Sequence, residues 1–346
     1  MDSPTPERAP RGPVTPGDGT GVEVAATGDA GSVPSSTGAA PAGAAGTAVA
    51  PAGPANPDHA NPDPANPAAA PAKRQPRAGR ELSAAIPVGI GLITVLVLSL
   101  AFRPEPFVVL VGIVALLGSW EIRGAARQRD IVIDLVPVAL GSIAIVAATW
   151  FLGIGGQVVA YVAAVGVVSA VALLRRGGSG GILDASVDVF TLTYVPFLAS
   201  FAVLMVRIDD GYWLVLTTAL LAAANDTGGY VFGMLFGKHP MAPTISPKKS
   251  WEGVAGSVVM AVVASWILVT LVQGYPWWLA VVLGVAVVCT ATLGDLAESL
   301  LKRDLGVKDM SNLLPGHGGL FDRLDSIVVT LPLVYLALGP LARAAT

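Results

Sequence analysis

The sequence predicts an all-α protein: a polytopic bundle of about nine membrane-spanning helices, preceded by a disordered N-terminal tail. Three observations support this fold class. Apolar side chains make up 53% of the 346 residues and charged ones only 13%, which is too hydrophobic for an ordinary soluble domain. Many of the apolar runs are long enough to cross a bilayer. The runs are continuous rather than alternating, which favours helices over the strands of a barrel.

Residues 1–79 differ from the rest of the chain in composition. They are dominated by Ala, Pro, Gly, Thr and Asp and contain almost no large apolar side chains, so we expect a disordered cytoplasmic tail. A five-residue cadence, ANPDH, ANPDP and ANPAA, begins at residue 55 and favours an extended tether. No secretory signal is expected, because the first apolar run begins only near residue 84. Residues 80–346 form the predicted transmembrane domain.

The apolar runs and the Lys and Arg residues between them predict the membrane topology. From residue 73 onward, Lys and Arg fall very unevenly on the two sides: with a cytoplasmic tail, sixteen lie inside and three, Arg103, Arg207 and Arg343, lie outside. This positive-inside asymmetry predicts a multi-pass plasma-membrane protein whose N-terminus is cytoplasmic, as are the connections after the sixth and eighth spans. The predicted spans are 84–102, 106–121, 131–152, 156–174, 188–207, 211–236, 251–273, 277–298 and 326–343.

The stretch 299–325, SLLKRDLGVKDMSNLLPGHGGLFDRLD, carries most of the candidate chemistry. Ionised carboxylates beside apolar helices cost several kcal/mol unless they are paired or bound to a metal, so this stretch is more than a connector. Lys302, Arg303, Lys308 and Arg323 are cations that could bind phosphate oxygens, Arg in a bidentate manner. They could instead be topological anchors that meet anionic lipid head groups.

Carboxylates around this stretch predict a magnesium site. Asp295 lies on the eighth predicted span, and Asp322 and Asp325, three residues apart, are expected to open the ninth span with their carboxylates on one face. Together the three could form an oxygen-rich site that holds Mg²⁺ against substrate phosphates, and the same oxygens could serve a second ion. Asp309 could be a fourth ligand or a salt-bridge partner, and the sequence leaves both open.

The spacing of residues around Asp295 on a helix indicates which of them belong to the site and which form a local ion pair. Ser299 and Lys302 follow Asp295 by four and seven residues, so the three project from one helix face. Glu298 stands four residues before Lys302 in the favourable acid-first order. We interpret Glu298 as the partner of an intrahelical pair and leave it out of the core site.

The glycine-rich segment around His317 has two interpretations. Gly318 and Gly319 would let backbone N–H groups approach a phosphate closely, although a flexible turn would also explain them. His317 could be a general acid or base. A phosphate-binding or structural donor role is preferred, because a substrate phosphate is already ionised near neutral pH and needs no base.

A second group of polar residues lies upstream. Asp226 falls inside the sixth apolar run, where a carboxylate is a functional-site hypothesis by default. Helix packing would explain the neighbouring glycines but not this carboxylate. In the following loop, Ser246, Lys248, Lys249 and Ser250 precede the seventh span, a position that suits a triphosphate or a lipid phosphate.

Both groups resemble signature motifs of the phosphatidate cytidylyltransferases, also called CDP-diglyceride synthases. The upstream motif reads SPKKSWEG at 246–253, with Ser250 where Thr is expected. The resemblance covers about residues 80–346. The C-terminal signature is matched at Ser299, Lys302, Arg303, Lys308, Asp309, Ser311, Pro315, His317, Gly318, Gly319, Asp322, Arg323 and Asp325.

The resemblance implies that CTP and phosphatidic acid react to give CDP-diacylglycerol and pyrophosphate in phospholipid synthesis. It implies Mg²⁺ as cofactor, membrane lipids as surroundings and a homodimer as the assembly. The net charge of −3 gives no reason to expect a nucleic-acid partner. The implied catalytic residues are Asp295, Lys302, Arg303, Asp322 and Asp325. The implied substrate-binding residues are Asp226, Ser246, Lys248, Lys249, Ser250, Lys308, His317, Gly318, Gly319 and Arg323.

Two alternatives remain open at this point. One is a CTP-dependent membrane kinase or transferase that acts on a polyprenol or another lipid alcohol, which would require a general base and give His317 a different role. The other is an ion-coupled transporter that uses Asp226 and Asp295 as an ion path, although no inverted repeat supports it.

Overall fold

The structure is a computed structural model that describes residues 78–314 and 318–345. Helices dominate these residues and confirm the all-α fold class. The predicted tail lies outside the described residues except for its last two, which begin the first helix, and His317 also lies outside them.

Nine stretches of α-helix and one short hairpin form the described chain. Two wider, π-helical turns, Thr193–Phe197 and Trp266–Val272, join α4 to α5 and extend α7. The hairpin is antiparallel and occupies part of the expected loop before the seventh span. The elements in chain order are α1 (Ala78–Ala101), α2 (Pro104–Ala126), α3 (Leu135–Arg176), α4 (Gly178–Leu192), α5 (Leu198–Val206), α6 (Tyr212–Phe236), β1 (Pro240–Ala242), β2 (Ser246–Ser250), α7 (Trp251–Ser265), α8 (Trp277–Leu305) and α9 (Asp325–Ala345).

Six helical stretches in the described part are long and apolar enough to cross a membrane. The apolar part of α1, Pro87–Ala101, is shorter, and α6 is not among the six. The count of nine spans therefore stays a prediction. The six are Pro104–Arg129, Leu135–Arg176, Gly178–Val206, Trp251–Val272, Trp277–Leu305 and Asp325–Ala344.

A break at Gly153 divides α3, the longest helix. Its 42 residues would extend about 63 Å, twice the thickness of a bilayer's hydrocarbon core. Gly153 has φ 74° and ψ −153°, a conformation that glycine adopts readily, and this interrupts the helical hydrogen bonds. The carbonyl of Thr149 accepts a hydrogen bond from the Arg207 guanidinium at 3.2 Å instead. The predicted spans 131–152 and 156–174 fall on the two sides of this break.

The short helix α5 lies at the centre of the fold. All its residues from 199 to 206 are buried, as expected for a helix that is apolar on every side. It packs against α9, α3 and α2. This core fixes the positions of α8 and α9, which carry the C-terminal motif.

Helices α6 and α7 make the closest contact between two helices near the upstream motif. A Cβ atom on Gly228 would lie 2.6 Å from the carbonyl oxygen of Gly256, so neither position has room for a larger residue without a shift. The Ser257 hydroxyl donates to the Asn225 carbonyl across the same contact at 2.6 Å. Small residues permit such an approach, so helix packing does explain the glycines that follow Asp226.

Candidate active site

A cavity of about 330 Å³ lies between α6, β2, α7 and α8. Its volume is at the lower end of the range for small-molecule sites. Residues from α6 and α8 face those of the hairpin and of the first turns of α7. The predicted site residues that line it are Asp226, Ser246, Lys248, Lys249, Ser250 and Asp295, joined by Asn225, Gly229, Tyr230, Gly253, Val254, Ser257 and Thr292.

The cavity lining carries an ion pair between the two motifs. The Lys249 Nζ lies 2.6 Å from Asp295 Oδ2, and the two side chains are 29% and 20% exposed. Across the lining, the Asn225 amide donates to Asp226 Oδ1 at 3.0 Å and orients that carboxylate. Carboxylates and ammonium groups therefore face one cavity, as the sequence predicted for these residues.

Close packing of α8 on α9 brings a third carboxylate to this group. A Cβ on Gly294 would lie 3.0 Å from Val329 Cγ2 and 3.2 Å from the Asp325 carbonyl, so glycine allows the contact. Asp295 follows Gly294 directly, and it lies within electrostatic range of both Asp325 and Asp226. Asp226 and Asp325 are also within range of each other. Three helices thus contribute one carboxylate each.

The donor chemistry of this group fits Mg²⁺. Within residues 78–314 and 318–345, no three His, Cys, Asp or Glu side chains are close enough to form a complete metal site by themselves. Mg²⁺ commonly takes only one or two protein carboxylates and completes its shell with water and substrate phosphates. Asp226 and Asp295 on the cavity lining, with Asp325 nearby, meet that requirement, and the ion itself stays a prediction.

A second ionic network lies in the C-terminal motif. Lys302 Nζ is 2.9 Å from Glu298 Oε1 and 2.9 Å from Asp322 Oδ1, so the predicted pair of Glu298 with Lys302 is confirmed. Asp322 also accepts backbone N–H groups of Met310 at 3.1 Å and Gly319 at 2.7 Å. Burial opposes ionisation of Asp322, but the hydrogen bonds from Lys302 and the neighbouring groups prevail and hold its pKa below the ordinary value of 3.8. Asp322 is therefore ionised, and its carboxylate holds the loop in place through Lys302 and two backbone N–H groups.

The structure separates Asp322 from Asp325, which were expected to share one helix face. Asp322 lies in the 3₁₀ turn Phe321–Arg323, and α9 begins only at Asp325. Asp322 contacts Lys302, and Asp325 lies within electrostatic range of Asp295, while Glu298 is within hydrogen-bonding reach of both acids. Asp309 is exposed and lies against Gly318, outside the cavity lining.

The N–H groups of the two described motif glycines already have partners within the protein. Gly318 has φ 82°, which favours glycine, and its N–H donates to the Leu314 carbonyl at 3.1 Å. The Gly319 N–H is taken by Asp322. A phosphate would have to displace these partners, so phosphate binding by the glycines stays a prediction.

Sequence reasoning missed Glu121, a buried carboxylate on α2 that is 1% exposed. Glu121 accepts hydrogen bonds from the Ser311 hydroxyl at 2.6 Å and from the N–H groups of Leu320 at 2.8 Å and Phe321 at 2.7 Å. The rule that marked Asp226, an acid within an apolar helix, would have found it.

The remaining predicted residues lie around these two networks. The Ser250 hydroxyl accepts from the Gly253 N–H at 3.1 Å and caps the N-terminus of α7, in addition to lining the cavity. Arg303, Lys308 and Arg323 are exposed. Arg323 lies within electrostatic range of Asp226, so it is close to the acidic group. Roles for Arg303 and Lys308 stay predictions.

Comparison with known proteins decides the family. The model of the Cytidylyltransferase family matches residues 83–340, most of the chain. The chain belongs to this family. A phosphatidate cytidylyltransferase of Mycobacterium bovis is 41% identical over 280 residues, which are 78% of this chain and 92% of that protein. The enzyme of the same name from Mycobacterium leprae is 42% identical over 74% of this chain and 87% of its own. One from Haemophilus influenzae is 42% identical over 40% of this chain and 52% of its own.

Membership of the cytidylyltransferase family confirms the resemblance inferred from the motifs. It identifies the chain as a nucleotidyltransferase, and the apolar helices place it in a membrane. It also favours an enzyme over the ion-coupled transporter considered from the sequence.

Proposed function

We propose that this protein is a phosphatidate cytidylyltransferase, which transfers CMP from CTP to phosphatidic acid and releases pyrophosphate. The observation that carries the proposal is the cavity in which Lys248 and Lys249 of the upstream motif face Asp226 and Asp295. Cations for phosphate oxygens and carboxylates for a divalent ion are the two kinds of group that nucleotidyl transfer requires.

In the proposed reaction, a phosphate oxygen of phosphatidic acid attacks the α-phosphorus of CTP while pyrophosphate leaves in line. The attacking oxygen is already ionised at neutral pH, so no general base is needed. Lys248 and Lys249 are placed to bind triphosphate oxygens at the cavity lining. Lys249 is already paired with Asp295. Binding of the triphosphate would therefore exchange one partner of the Lys249 ammonium group for another and would not bury an unpaired charge.

Lys302 contributes a second cation that is fixed before the substrate arrives. Its Nζ is held by Glu298 and Asp322, and its side chain is 16% exposed. A donor held in this way costs little reorganisation when negative charge develops. Arg303 and Arg323 are both exposed, and their guanidinium groups are further candidates for binding phosphate oxygens.

Mg²⁺ would be held by Asp295 with Asp226 or Asp325. When bound, the ion neutralises charge on the triphosphate. Asp322 is less suited to this role because its oxygens are engaged by Lys302 and two N–H groups. Asp309 is exposed beside Gly318 and does not line the cavity.

We further propose that the site opens to the cytoplasm of a plasma-membrane protein, with the acyl chains of phosphatidic acid in the lipid and only its head group in the cavity. The distribution of Lys and Arg supports this orientation. A homodimer remains a proposal implied by the family.

The test is an assay of purified protein with CTP labelled at the α-phosphate or, in parallel, at the γ-phosphate, and with either phosphatidic acid or a dolichol-type alcohol, each with and without Mg²⁺. Labelled CDP-diacylglycerol formed from phosphatidic acid only when Mg²⁺ is present is the expected result. Label transferred to the alcohol, with none to phosphatidic acid, would replace the proposal by the lipid-alcohol alternative.

A further inference from the structure

The carboxylate of Glu121 joins the two ends of the C-terminal motif loop. In sequence, Ser311 precedes the backbone bridge between Leu314 and Gly318, and Leu320 and Phe321 follow it. Glu121 Oε1 accepts from the Ser311 hydroxyl and the Leu320 N–H, and Oε2 accepts from the Phe321 N–H, at 2.6 to 2.8 Å. These contacts link α2 to residues about 190 to 200 positions later in the chain.

Asp322 makes a parallel closure next to that of Glu121. It accepts N–H groups of Met310, before the bridge between Leu314 and Gly318, and of Gly319, after it. A Cβ at Gly319 would lie 3.0 Å from both Glu121 carboxylate oxygens and 3.1 Å from Asp322 Oδ2. The two carboxylates therefore meet across one glycine, and Asp322 in turn holds Lys302.

Burial makes this arrangement sensitive to loss of the charge. The Glu121 side chain is almost completely enclosed, so its three donors have no water to replace it. Hydrogen bonds to a buried carboxylate are among the stronger ones in proteins. Replacing Glu121 by Gln would leave one of the Leu320 and Phe321 N–H groups, both on buried residues, without an acceptor and would weaken the link between α2 and the loop.

We propose that Glu121 is a positioning residue, which holds the motif loop closed so that Asp322 and Lys302 are in place before CTP binds. This inference rests on the proposed function, because its test uses CTP. Glu121 acts through the loop and does not touch the substrate. Without Glu121, part of the binding free energy of CTP is used to bring the loop into this arrangement. The apparent affinity for CTP is then reduced in proportion to the fraction of protein molecules that already have the loop in this arrangement.

The test compares kcat and KM for CTP in Glu121→Gln and wild type. Gln keeps the shape but offers one acceptor oxygen instead of two, so at least one charge-assisted hydrogen bond is lost. The expected result is a KM for CTP raised about tenfold or more, from the strength of such a bond, with kcat within about threefold because saturating CTP restores the closed loop. Glu105→Gln removes an exposed acid from the same helix and is expected to change neither constant.

A purely structural role predicts another pattern. Misfolding lowers the amount of active enzyme, so kcat would fall while KM stayed unchanged, and that result for Glu121→Gln would overturn the inference. Equal KM increases in Glu121→Gln and Glu105→Gln would also overturn it. An inactive wild-type enzyme would refute the proposed function itself, which separates the two failures.

Ser311→Ala keeps the test valid if Glu121→Gln does not fold. It removes one donor and leaves the carboxylate with both N–H partners, so we expect a KM for CTP raised about threefold, as for one weaker hydrogen bond. In the double variant, the KM should equal that of Glu121→Gln alone, because both changes break the same link. An unchanged KM in Ser311→Ala, or independent multiplication of the two effects, would contradict the proposal.

Discussion

Replacing Gly294 with Ala is expected to slow catalysis by moving α8 away from α9 at the acidic group. The new Cβ would lie 3.0 Å from Val329 Cγ2 and 3.2 Å from the Asp325 carbonyl oxygen. Ordinary contacts of carbon atoms are about 3.5 to 4.0 Å, so the helices must separate by roughly half an ångström. A misplacement of about 1 Å in an active site costs about a hundredfold in rate, so half of that predicts about a tenfold loss. Overpacking should also lower stability by about 1 to 3 kcal/mol.

The assay is the initial rate of CDP-diacylglycerol formation in detergent micelles, with thermal unfolding measured on the same preparation. Gly166→Ala is the matched control, because its Cβ would meet nothing within 4 Å. It should keep the wild-type rate and gain up to about 1 kcal/mol of stability from the better helix propensity of Ala. Adding Val329→Ala to Gly294→Ala removes the 3.0 Å contact and should restore part of the activity. A wild-type rate in Gly294→Ala would refute the link between helix spacing and the site.

Three other changes test the remaining parts of the site. Lys249→Met leaves Asp295 unpaired and should reduce kcat/KM for CTP by about a hundredfold or more. Lys238→Met, at an exposed Lys before β1, should not reduce it. Equal losses in the two variants would count against a role of Lys249 in the cavity. Asp322→Asn should abolish turnover in protein that is still folded in detergent. Because the pKa of Asp322 is lowered in the folded protein, its contribution to the free energy of unfolding is present above pH 3.8. This contribution is lost as the pH falls through the pKa of the folded state. The stability of the Asn variant should therefore depend less on pH in this acid range. Deleting residues 1–75 should leave specific activity nearly unchanged, and a large loss would give the tail an active role.

Local features of the site could be predicted from the sequence. The pairing of Glu298 with Lys302 follows from their spacing of four residues on one helix, and the structure confirms it. Asp226, Lys249 and Asp295 could be marked from the sequence as an acid within an apolar run, a cation in a motif and an acid on a span, and all three line one cavity. In each case, the information lies within a few residues or in the composition of a whole segment.

Features that depend on distant contacts or on small changes of direction could not be predicted. Glu121 could have been marked as an acid at the end of an apolar run, but its three donors could not be predicted, because they come from the packing of α2 against the motif loop. A 3₁₀ turn before α9 separates Asp322 from Asp325, although their spacing alone suggested one helix face. The sequence placed a gap between the spans 131–152 and 156–174, but the positive φ of Gly153 within that gap could not be read from it.

The glycine contact between α6 and α7 has a mechanical consequence for how ligands enter. The backbones of α6 and α7 are in contact at Gly228 and Gly256, so we expect these two helices to move together as one rigid pair. This helix pair contributes Asp226 and Ser257 to the cavity. Helix α8 also packs closely on α7, where a Cβ on Gly284 would lie 2.8 Å from Val262 Cα. Widening of the cavity to admit a nucleotide or release pyrophosphate would therefore involve the β-hairpin, which is joined to α8 by the Lys249 and Asp295 side chains. Breaking and re-forming the ion pair between Lys249 and Asp295 would then control access to the cavity.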